Sequence, residues 1–259
     1  MLHRMIQFLL RRLLVALLVC LTVLVFAFAL TRLSGDLAIS IAGPNASAAD
    51  IEIVRKAYGL DRPLIQQFFD WVGRAMVGDF GTSYFYKERV STLIFQRLPI
   101  TLTLGLVGLG IALVVALPLG VISALHEGRW ADRAISLVAL LGQAMPSFWL
   151  GLILMITLGL WLGWLPISGT GSWEHFVMPG IVLAFSAIPV LMRLTRSGMI
   201  DAMSSDYIRT ARAKGLSRVS IVLKHAARNA AMPVVSIAAV QLGFMLGGSI
   251  VIETVFALH

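Results

Sequence analysis

The sequence predicts an all-α protein that crosses a membrane several times. Of its 259 residues, 58% are hydrophobic and only 13% are charged, and the mean hydropathy is +0.89. A soluble domain of this length cannot bury so much apolar surface. The apolar residues also fall into five runs, each close to or longer than the stretch of about 20 residues with which a helix crosses the hydrocarbon core. Composition and grouping together predict five transmembrane helices.

The predicted spans are 13–30, 100–125, 134–165, 176–192 and 232–256. The first span follows three arginines, as the apolar core of a secretory signal peptide would. Its apolar run is longer than such a core, however, and no small-residue cleavage site follows it. We therefore interpret the first span as a retained membrane anchor.

The distribution of basic residues predicts which side of the membrane each loop faces. Arginines precede the first span and occupy the loop before the third, and 8 of the 21 basic residues lie between the fourth and fifth spans. These eight are Arg193, Arg196, Arg209, Arg212, Lys214, Arg218, Lys224 and Arg228. The positive-inside rule places the N-terminus and this basic segment in the cytoplasm, facing water or a partner. Topology and anionic lipid explain the net charge of +8, so we expect no nucleic-acid partner.

Segment 31–97 is predicted to lie on the outer side. Aromatic residues recur in it among Gly and Pro, which predicts short helices and turns packed on the membrane surface. Asp50 is a plausible N-cap and Gly59 a plausible stop for a helix over 50–58. Two interpretations stay open for this segment: a cap over a pore mouth and a docking surface for a partner.

The motifs of nucleotide and metal chemistry are missing from the sequence. No Gly-x-x-x-x-Gly-Lys-[Ser/Thr] phosphate loop, His-Glu-x-x-His or Gly-x-Ser-x-Gly occurs. The five His residues are scattered, and Cys20 is the only cysteine. We therefore expect no catalytic residue, metal site or cofactor in this chain, and any energy input must come from another subunit.

Few polar residues interrupt the spans. Glu253 lies near the outer end of the last span, where we interpret it as solvated at the interface. The amides in the spans either join helices or line a pathway. The best pathway candidate is the run Gly142–Trp149, where a proline kink adjoins an amide and a hydroxyl, with simple packing as the open alternative. The pathway candidates are Gln143, Met145, Pro146, Ser147, Phe148 and Gln241. Small residues within 243–250 also allow close helix contact.

The basic segment predicts two short helices. Ser204, Ser205 and Asp206 are N-cap candidates for a helix over 207–214 that Gly215 stops, and Ser217 can cap the next helix. Tyr207, Thr210 and Ala211 share one face of the first helix. Exposed and ringed by cations, that face suits insertion into a groove on a partner. The alternative is a basic helix lying on anionic lipid.

Two motifs in this segment carry a family resemblance. Asp206-Tyr-Ile-Arg-Thr-Ala-Arg-Ala-Lys-Gly-Leu-Ser and Leu223-Lys-His-Ala-Ala-Arg-Asn-Ala-Ala-Met-Pro-Val-Val resemble the coupling loop of ABC importer permeases in the dipeptide, oligopeptide and nickel branch. The similarity continues in Arg11-Arg12, Tyr58-Gly-Leu-Asp-Arg-Pro-Leu, Gly78-Asp-Phe-Gly-Thr-Ser, Arg97-Leu-Pro-Ile-Thr-Leu, Met145-Pro-Ser-Phe-Trp and Gly247-Gly-Ser-Ile-Val-Ile-Glu. The general Glu-Ala-Ala-x-x-x-Gly pattern is represented here by Arg209, Thr210, Ala211 and Gly215, which resembles the peptide and nickel branch.

The resemblance implies one type I permease domain over 1–259, with a periplasmic segment at 31–97 and a cytoplasmic coupling loop at 193–231. Its implied ATPase-coupling residues are Asp206, Tyr207, Arg209, Thr210, Ala211, Arg212, Lys214 and Gly215. The implied partners are a second homologous permease, two ATP-binding subunits that carry ATP and Mg, a periplasmic solute-binding protein and the lipid bilayer of the bacterial inner membrane. The chain itself would be a transport subunit and no enzyme.

The resemblance leaves the substrate open. Dipeptides, oligopeptides or glutathione are expected, with nickel or a metal chelate as the alternative and a non-transporting membrane scaffold as an alternative of another class. Such permeases resemble one another in having a sixth span, whereas this sequence ends just after the fifth at His259. We therefore expect a sixth helix in the family fold and a truncated representation here.

Overall fold

A computed structural model of the chain describes residues 2–33, 35–83 and 85–258, with the backbone alone for residues 2 and 3. Helices dominate this described part, in which the single bridge of β type joins Thr82 to Arg89. The α-helices are α1 Leu2–Leu33, α2 Leu37–Ala42, α3 Ala48–Ala57, α4 Leu64–Met76, α5 Val90–Leu125, α6 Trp130–Ala144, α7 Ser147–Leu154, α8 Val177–Ser204, α9 Asp206–Ala213, α10 Arg218–Ser220 and α11 Ala227–Val255. The helical structure is completed by two π-helical segments, Met155–Trp161 and Ile221–Ala226, and by a 3-10 turn, Trp173–Phe176. The predicted all-α polytopic fold is confirmed.

The chain divides into two compact units, Met1–Ile94 and Phe95–His259. The first contains α1, whose apolar stretch Arg4–Leu33 is long enough to cross a membrane and has no buried residue in its most apolar window. Phe28 near the end of α1 packs against Phe68 and Trp71 of α4, with ring centroids 5.3 and 6.1 Å away. The amphipathic α4 is therefore anchored on the span by aromatic contacts.

The predicted helix over 50–58 exists, but it begins earlier than predicted. Ser47 is the N-cap, and Asp50 is the third helical residue of a capping box, accepting a hydrogen bond from the backbone N–H of Ser47 at 3.1 Å. Ser47 and Asp50 lie three residues apart and are both suitable N-cap residues, so the sequence alone did not show which of them caps the helix. Gly59 follows the end of α3 with a positive φ of 64°, as the predicted stop requires.

The second unit is built on α5 and α8, which run side by side in the same direction. Gly108 of α5 lies against Gly180 of α8, and Gly120, twelve residues later, lies against Thr195. A methyl group at Gly120 would come within 2.6 Å of the Thr195 Cβ atom. Glycine therefore sets how closely these two helices approach.

The fifth predicted span, α11, runs antiparallel to α8. Near the start of α11, Ala230 lies against Gly198 of α8, while Phe256 at its far end is buried against Gly151 of α7. Helices α5, α8 and α11 are each long and apolar enough to cross a membrane. Their buried residues form the core of the unit, which includes Leu104, Met178, Leu191, Met192 and Met245.

The third predicted span, 134–165, is not one continuous helix. Helix α6 ends at Ala144, α7 begins at Ser147, and the two are bent by 100°. Met145 is extended, with φ −80° and ψ 130°, because the ring of Pro146 disfavours helical geometry in the preceding residue. The predicted kink is thus a complete break. Pro118 and Pro189, in contrast, remain within α5 and α8.

The fourth predicted span, 176–192, ends too early. Helix α8 continues to Ser204, so residues 193–204 extend the helix instead of forming a loop. The apolar run ends where charges begin, but the helix persists because neighbouring helices still cover one of its faces. Thr195, Met199 and Ala202 in this extension are buried.

Candidate functional site

Within the predicted coupling loop, 193–231, the chain turns out of α8 at Ser205. Ser205 separates α8 from α9 and occupies the N-cap position, but its hydroxyl donates to the carbonyl oxygen of Ala202 and does not cap α9. The predicted position of the N-cap is therefore correct, but the Ser205 hydroxyl does not form the capping hydrogen bond. Ser217 is the N-cap of α10 as predicted, since its Oγ accepts from the backbone N–H of Ser220 at 3.3 Å.

Gly215 ends α9 in a Schellman motif. Its backbone N–H donates to Arg212 at 3.0 Å, and the N–H of Leu216 donates to Ala211 at 3.3 Å. The φ angle of Gly215 is +74°, in the left-handed region that disfavours any residue with a side chain. The predicted stop at Gly215 is confirmed.

Helix α9 is mounted on the membrane-spanning helices through a buried face. Ile208 is fully buried and Ala211 is 6% exposed. The surrounding cluster contains Met199, Ala202, Ile221, Val222, Ala226 and Ala230. The prediction that Ala211 belongs to an exposed face is wrong, because the helix rotates this position, three residues from Ile208, toward its own chain. Ala211 therefore supports the helix from behind.

The opposite face of α9 is exposed and basic. Its exposed residues are Asp206, Tyr207, Arg209, Thr210, Arg212, Ala213 and Lys214. Tyr207 keeps 42% of its surface accessible. The ion pair from Arg209 to Asp206 spans 3.4 Å between well-exposed side chains and contributes little energy. The outward surface thus combines one aromatic ring with several solvated cations, which complements an acidic partner surface.

A buried ion pair joins α8 to α6 beside this segment. The Arg196 Nε and Nη2 atoms donate to the two carboxylate oxygens of Asp132, both at 2.7 Å. The same carboxylate accepts from the Ser123 hydroxyl at 2.6 Å and from the Gly128 backbone N–H at 2.9 Å. Asp132 is 5% exposed and Ser123 is fully buried. This network fixes the α5–α6 loop to α8.

Sequence reasoning missed this network. Arg196 was assigned to a segment facing water or a partner, but its side chain is largely buried and faces Asp132 of the same chain. The two residues are 64 positions apart, so no local spacing connects them. Asp132 also shares its stretch of sequence with Glu127, Arg129 and Arg133, so its charge did not single it out.

The break after α6 brings most of the pathway candidates together. Gln143 is exposed in the last turn of α6, and its Oε1 atom accepts from Arg193 Nη2 at 3.2 Å. Pro146, Ser147 and Phe148 follow it and are exposed, whereas Met145 is half-buried. Gln241 is half-buried on α11, and no hydrogen bond in the described part of the chain joins it to this group. Arg193, assigned from the sequence to the cytoplasmic segment, instead contacts this break.

An exposed polar stripe runs along α8. Ser186, Arg193, Ser197 and Asp201 are exposed and recur at intervals of seven, four and four residues, which places them on one helix face. Most of the helix is otherwise buried or apolar. Polar groups within a membrane span face protein or a water-filled cavity and avoid lipid. Hydropathy counting missed the stripe because apolar residues lie between its members.

The other end of the unit carries a second polar contact. The Thr101 hydroxyl of α5 donates to Glu253 Oε1 of α11 at 2.9 Å, and both side chains are half-buried. Glu253 is therefore held by its own chain and not merely solvated as predicted. Gly243, Gly247 and Gly248 have no atom within 4 Å of an added Cβ, so the predicted close helix contact is not made within the described residues.

Comparison with protein families gives two matches. Residues 116–258 match the model described as binding-protein-dependent transport system inner membrane component. Residues 5–105 match the model for the N-terminal part of such membrane components. Together the two models cover most of the chain.

Individual relatives agree with the family models. The chain is 43% identical over 235 residues to the glutathione transport system permease protein GsiC of Escherichia coli strain K12, covering 91% of this chain and 76% of the relative. It is also 43% identical over 254 residues to the protein of that name from Salmonella choleraesuis strain SC-B67, covering 97% and 83%. The protein of that name from Shigella dysenteriae serotype 1 matches at 43% over 235 residues.

Proposed function

This chain belongs to the binding-protein-dependent transport system inner membrane components, and we propose that it is one of two permeases that together line the pathway of a peptide importer. It is a permease subunit of an ATP-driven ABC importer in the peptide and glutathione branch, and it is no enzyme. Several apolar helices make it a multi-pass inner-membrane protein. The proposal adds the partners, orientation, coupling surface and substrate.

The partners in this proposal are a second homologous permease, two ATP-binding subunits and a periplasmic solute-binding protein. ATP and Mg bind the ATP-binding subunits, since this sequence contains no phosphate loop. The basic end of the second unit, with α9, faces the cytoplasm together with the N-terminus. Clustering of the arginines and lysines at that end supports this orientation.

The observation that carries the coupling role is the geometry of α9. An exposed face with Tyr207 and three cations is backed by the buried Ile208 and Ala211. A helix held in this way passes its displacement on to the helices behind it, because no flexible loop lies between them to absorb the movement. Closure of the ATP-binding subunits would move α9, and α8 and α11 would rock the pathway between outward and inward openings.

Glutathione or short peptides are the proposed substrates. The support is the name of relatives that share 43% of their aligned residues with this chain. Nickel or a metal chelate is the competing substrate within the same branch. Because the binding protein delivers the ligand, its affinity for glutathione, dipeptides and a nickel chelate ranks these candidates directly.

The test is uptake in the native host. Deleting the gene is expected to abolish uptake of labelled glutathione or dipeptide, and the full-length protein expressed in trans is expected to restore it. Preserved peptide uptake with lost nickel uptake would assign the metal substrate. If the purified protein brings down no ATP-binding subunit and uptake of all three ligands is unaffected, the scaffold alternative holds and the transport proposal fails.

A further inference from the structure

Arg193 lies within the candidate membrane span Trp173–Ser204, and its guanidinium is directed toward Gln143 of α6. It is 16 residues from the start of α8 at Val177, about 24 Å along the helix axis. Its partner Gln143 is 11 residues beyond Asp132 on α6, or about 16 Å further into the unit than the partner of Arg196. The two arginines on α8 therefore diverge. Arg196 reaches toward the basic end of the unit, and Arg193 reaches away from it.

The two arginines also differ in how they are satisfied. Arg196 has a carboxylate partner at 2.7 Å on two atoms. Arg193 forms one hydrogen bond of 3.2 Å to a neutral amide and, within the described residues, no ion pair. A guanidinium has five N–H donors in a planar fork. Most of the donors of Arg193 are therefore available to a ligand from outside the described chain.

The surroundings of Arg193 fit a water-filled path. The residue is exposed and belongs to the polar stripe with Ser186, Ser197 and Asp201. The break at Pro146 lies three residues beyond its partner Gln143. A charge within a membrane span would be costly if it faced lipid, whereas a hydrated cavity or a bound anion satisfies it. The anion that matches a planar guanidinium fork is a carboxylate, bound by two parallel hydrogen bonds.

We propose that Arg193, oriented by Gln143, binds a carboxylate of the transported peptide within the pathway. This inference rests on the proposed function, because peptides and glutathione carry the carboxylate that the site would recognise. Arg193 is then a specificity-determining residue of the permease, acting after the binding protein has released its ligand. Gln143 is a positioning residue that holds the guanidinium beside the break at Pro146.

The test compares an acid with its amide in the reconstituted importer with its binding protein. Uptake is measured for glutathione and for glutathione whose glycine carboxylate has been converted to an amide. The ratio of the two rates is compared between wild type and variants, so the selectivity of the binding protein cancels. We expect Arg193→Gln to reduce the acid-to-amide ratio about tenfold, equivalent to about 1.4 kcal/mol. Arg193→Lys should retain part of the preference, because it keeps the charge without the fork.

The controls separate recognition from structure. Arg133→Gln makes the same chemical change at an exposed position on α6 and should leave the ratio unchanged. An unchanged ratio in Arg193→Gln, or loss of the second permease from the purified Arg193→Gln complex, would overturn the inference. A wild-type importer that takes up neither compound would instead refute the proposed peptide substrate.

Discussion

Breaking the ion pair between Arg196 and Asp132 should destabilise the protein asymmetrically. The carboxylate accepts two bonds from Arg196, one from Ser123 and one from Gly128. Arg196→Ala would leave this carboxylate, only 5% exposed, with two neutral donors. Removing one partner of a buried ion pair typically costs about 3–5 kcal/mol. The remaining donors place the expected cost near the lower limit, at about 3 kcal/mol.

Asp132→Ala should cost less. The Arg196 side chain is 28% exposed and can turn part of its guanidinium toward water once its partner is removed. The expected loss of stability in Asp132→Ala is about 2 kcal/mol, which includes the loss of the acceptor for the Ser123 hydroxyl. The double variant leaves no buried charge, so its cost should fall short of the sum by about 2 kcal/mol.

The assay is thermal unfolding of the purified importer in lipid nanodiscs. The expected order of Tm, from high to low, is wild type, Asp132→Ala, then Arg196→Ala, with the double variant close to Arg196→Ala. Arg129→Ala, which removes an exposed cation from the same loop, serves as the matched control and should change Tm little. Additive effects in the double variant, or a Tm for Arg196→Ala equal to wild type, would refute the reasoning.

Three further variants test other parts of the structure. Gly215→Ala places a side chain at a φ of +74° without a steric clash, so the variant should lose about 1–2 kcal/mol of stability. It should also reduce substrate-stimulated ATP hydrolysis. Unchanged stimulation would reject the coupling role. Gly120→Ala overpacks α5 against Thr195 and should lower Tm by an amount equivalent to about 1–3 kcal/mol, whereas the open Gly110→Ala should not. The hydrogen bond from Arg55 lowers the pKa of the Asp36 carboxyl in the folded protein. The stabilisation of the fold by this pair is therefore fully present above the pKa that Asp36 has in the unfolded chain. It is lost as the pH falls through the lower pKa that Asp36 has in the folded protein. Asp36→Asn should therefore lower Tm at pH 7 and lose its effect in strong acid, and an effect that persists there would contradict the pairing.

The features predicted correctly from the sequence were those decided by local chemistry. Gly215 ends α9 because only glycine readily adopts the required φ, and Ser217 caps α10 because a hydroxyl lies within reach of the N–H three residues later. Pro146 interrupts the third span because it restricts the residue before it. Each effect acts over three or four residues and leaves a direct mark in the sequence.

The features that could not be predicted depend on packing between distant segments. The buried orientation of Ala211 follows from where α9 docks on α8 and α11. The pairing of Arg196 with Asp132 bridges 64 positions. The direction of the Arg193 guanidinium depends on α6 lying antiparallel beside α8, which brings Gln143 within its reach. Charge density identified the basic segment but could not assign its members to water, to each other or to the interior.

The three arginines on or next to α8 suggest why this helix is central to the proposed mechanism. Arg209 on α9 is exposed toward the proposed ATP-binding partner, Arg196 fixes the start of α6, and Arg193 contacts the end of α6 beside the break. Only Ser205 separates α8 from α9, and the buried Ile208 ties them further. A displacement of α9 is therefore expected to move α8, and α8 to move both ends of α6. The break at Pro146 is the point where that movement can change the pathway, because among the described residues no helical hydrogen bond crosses it to resist bending.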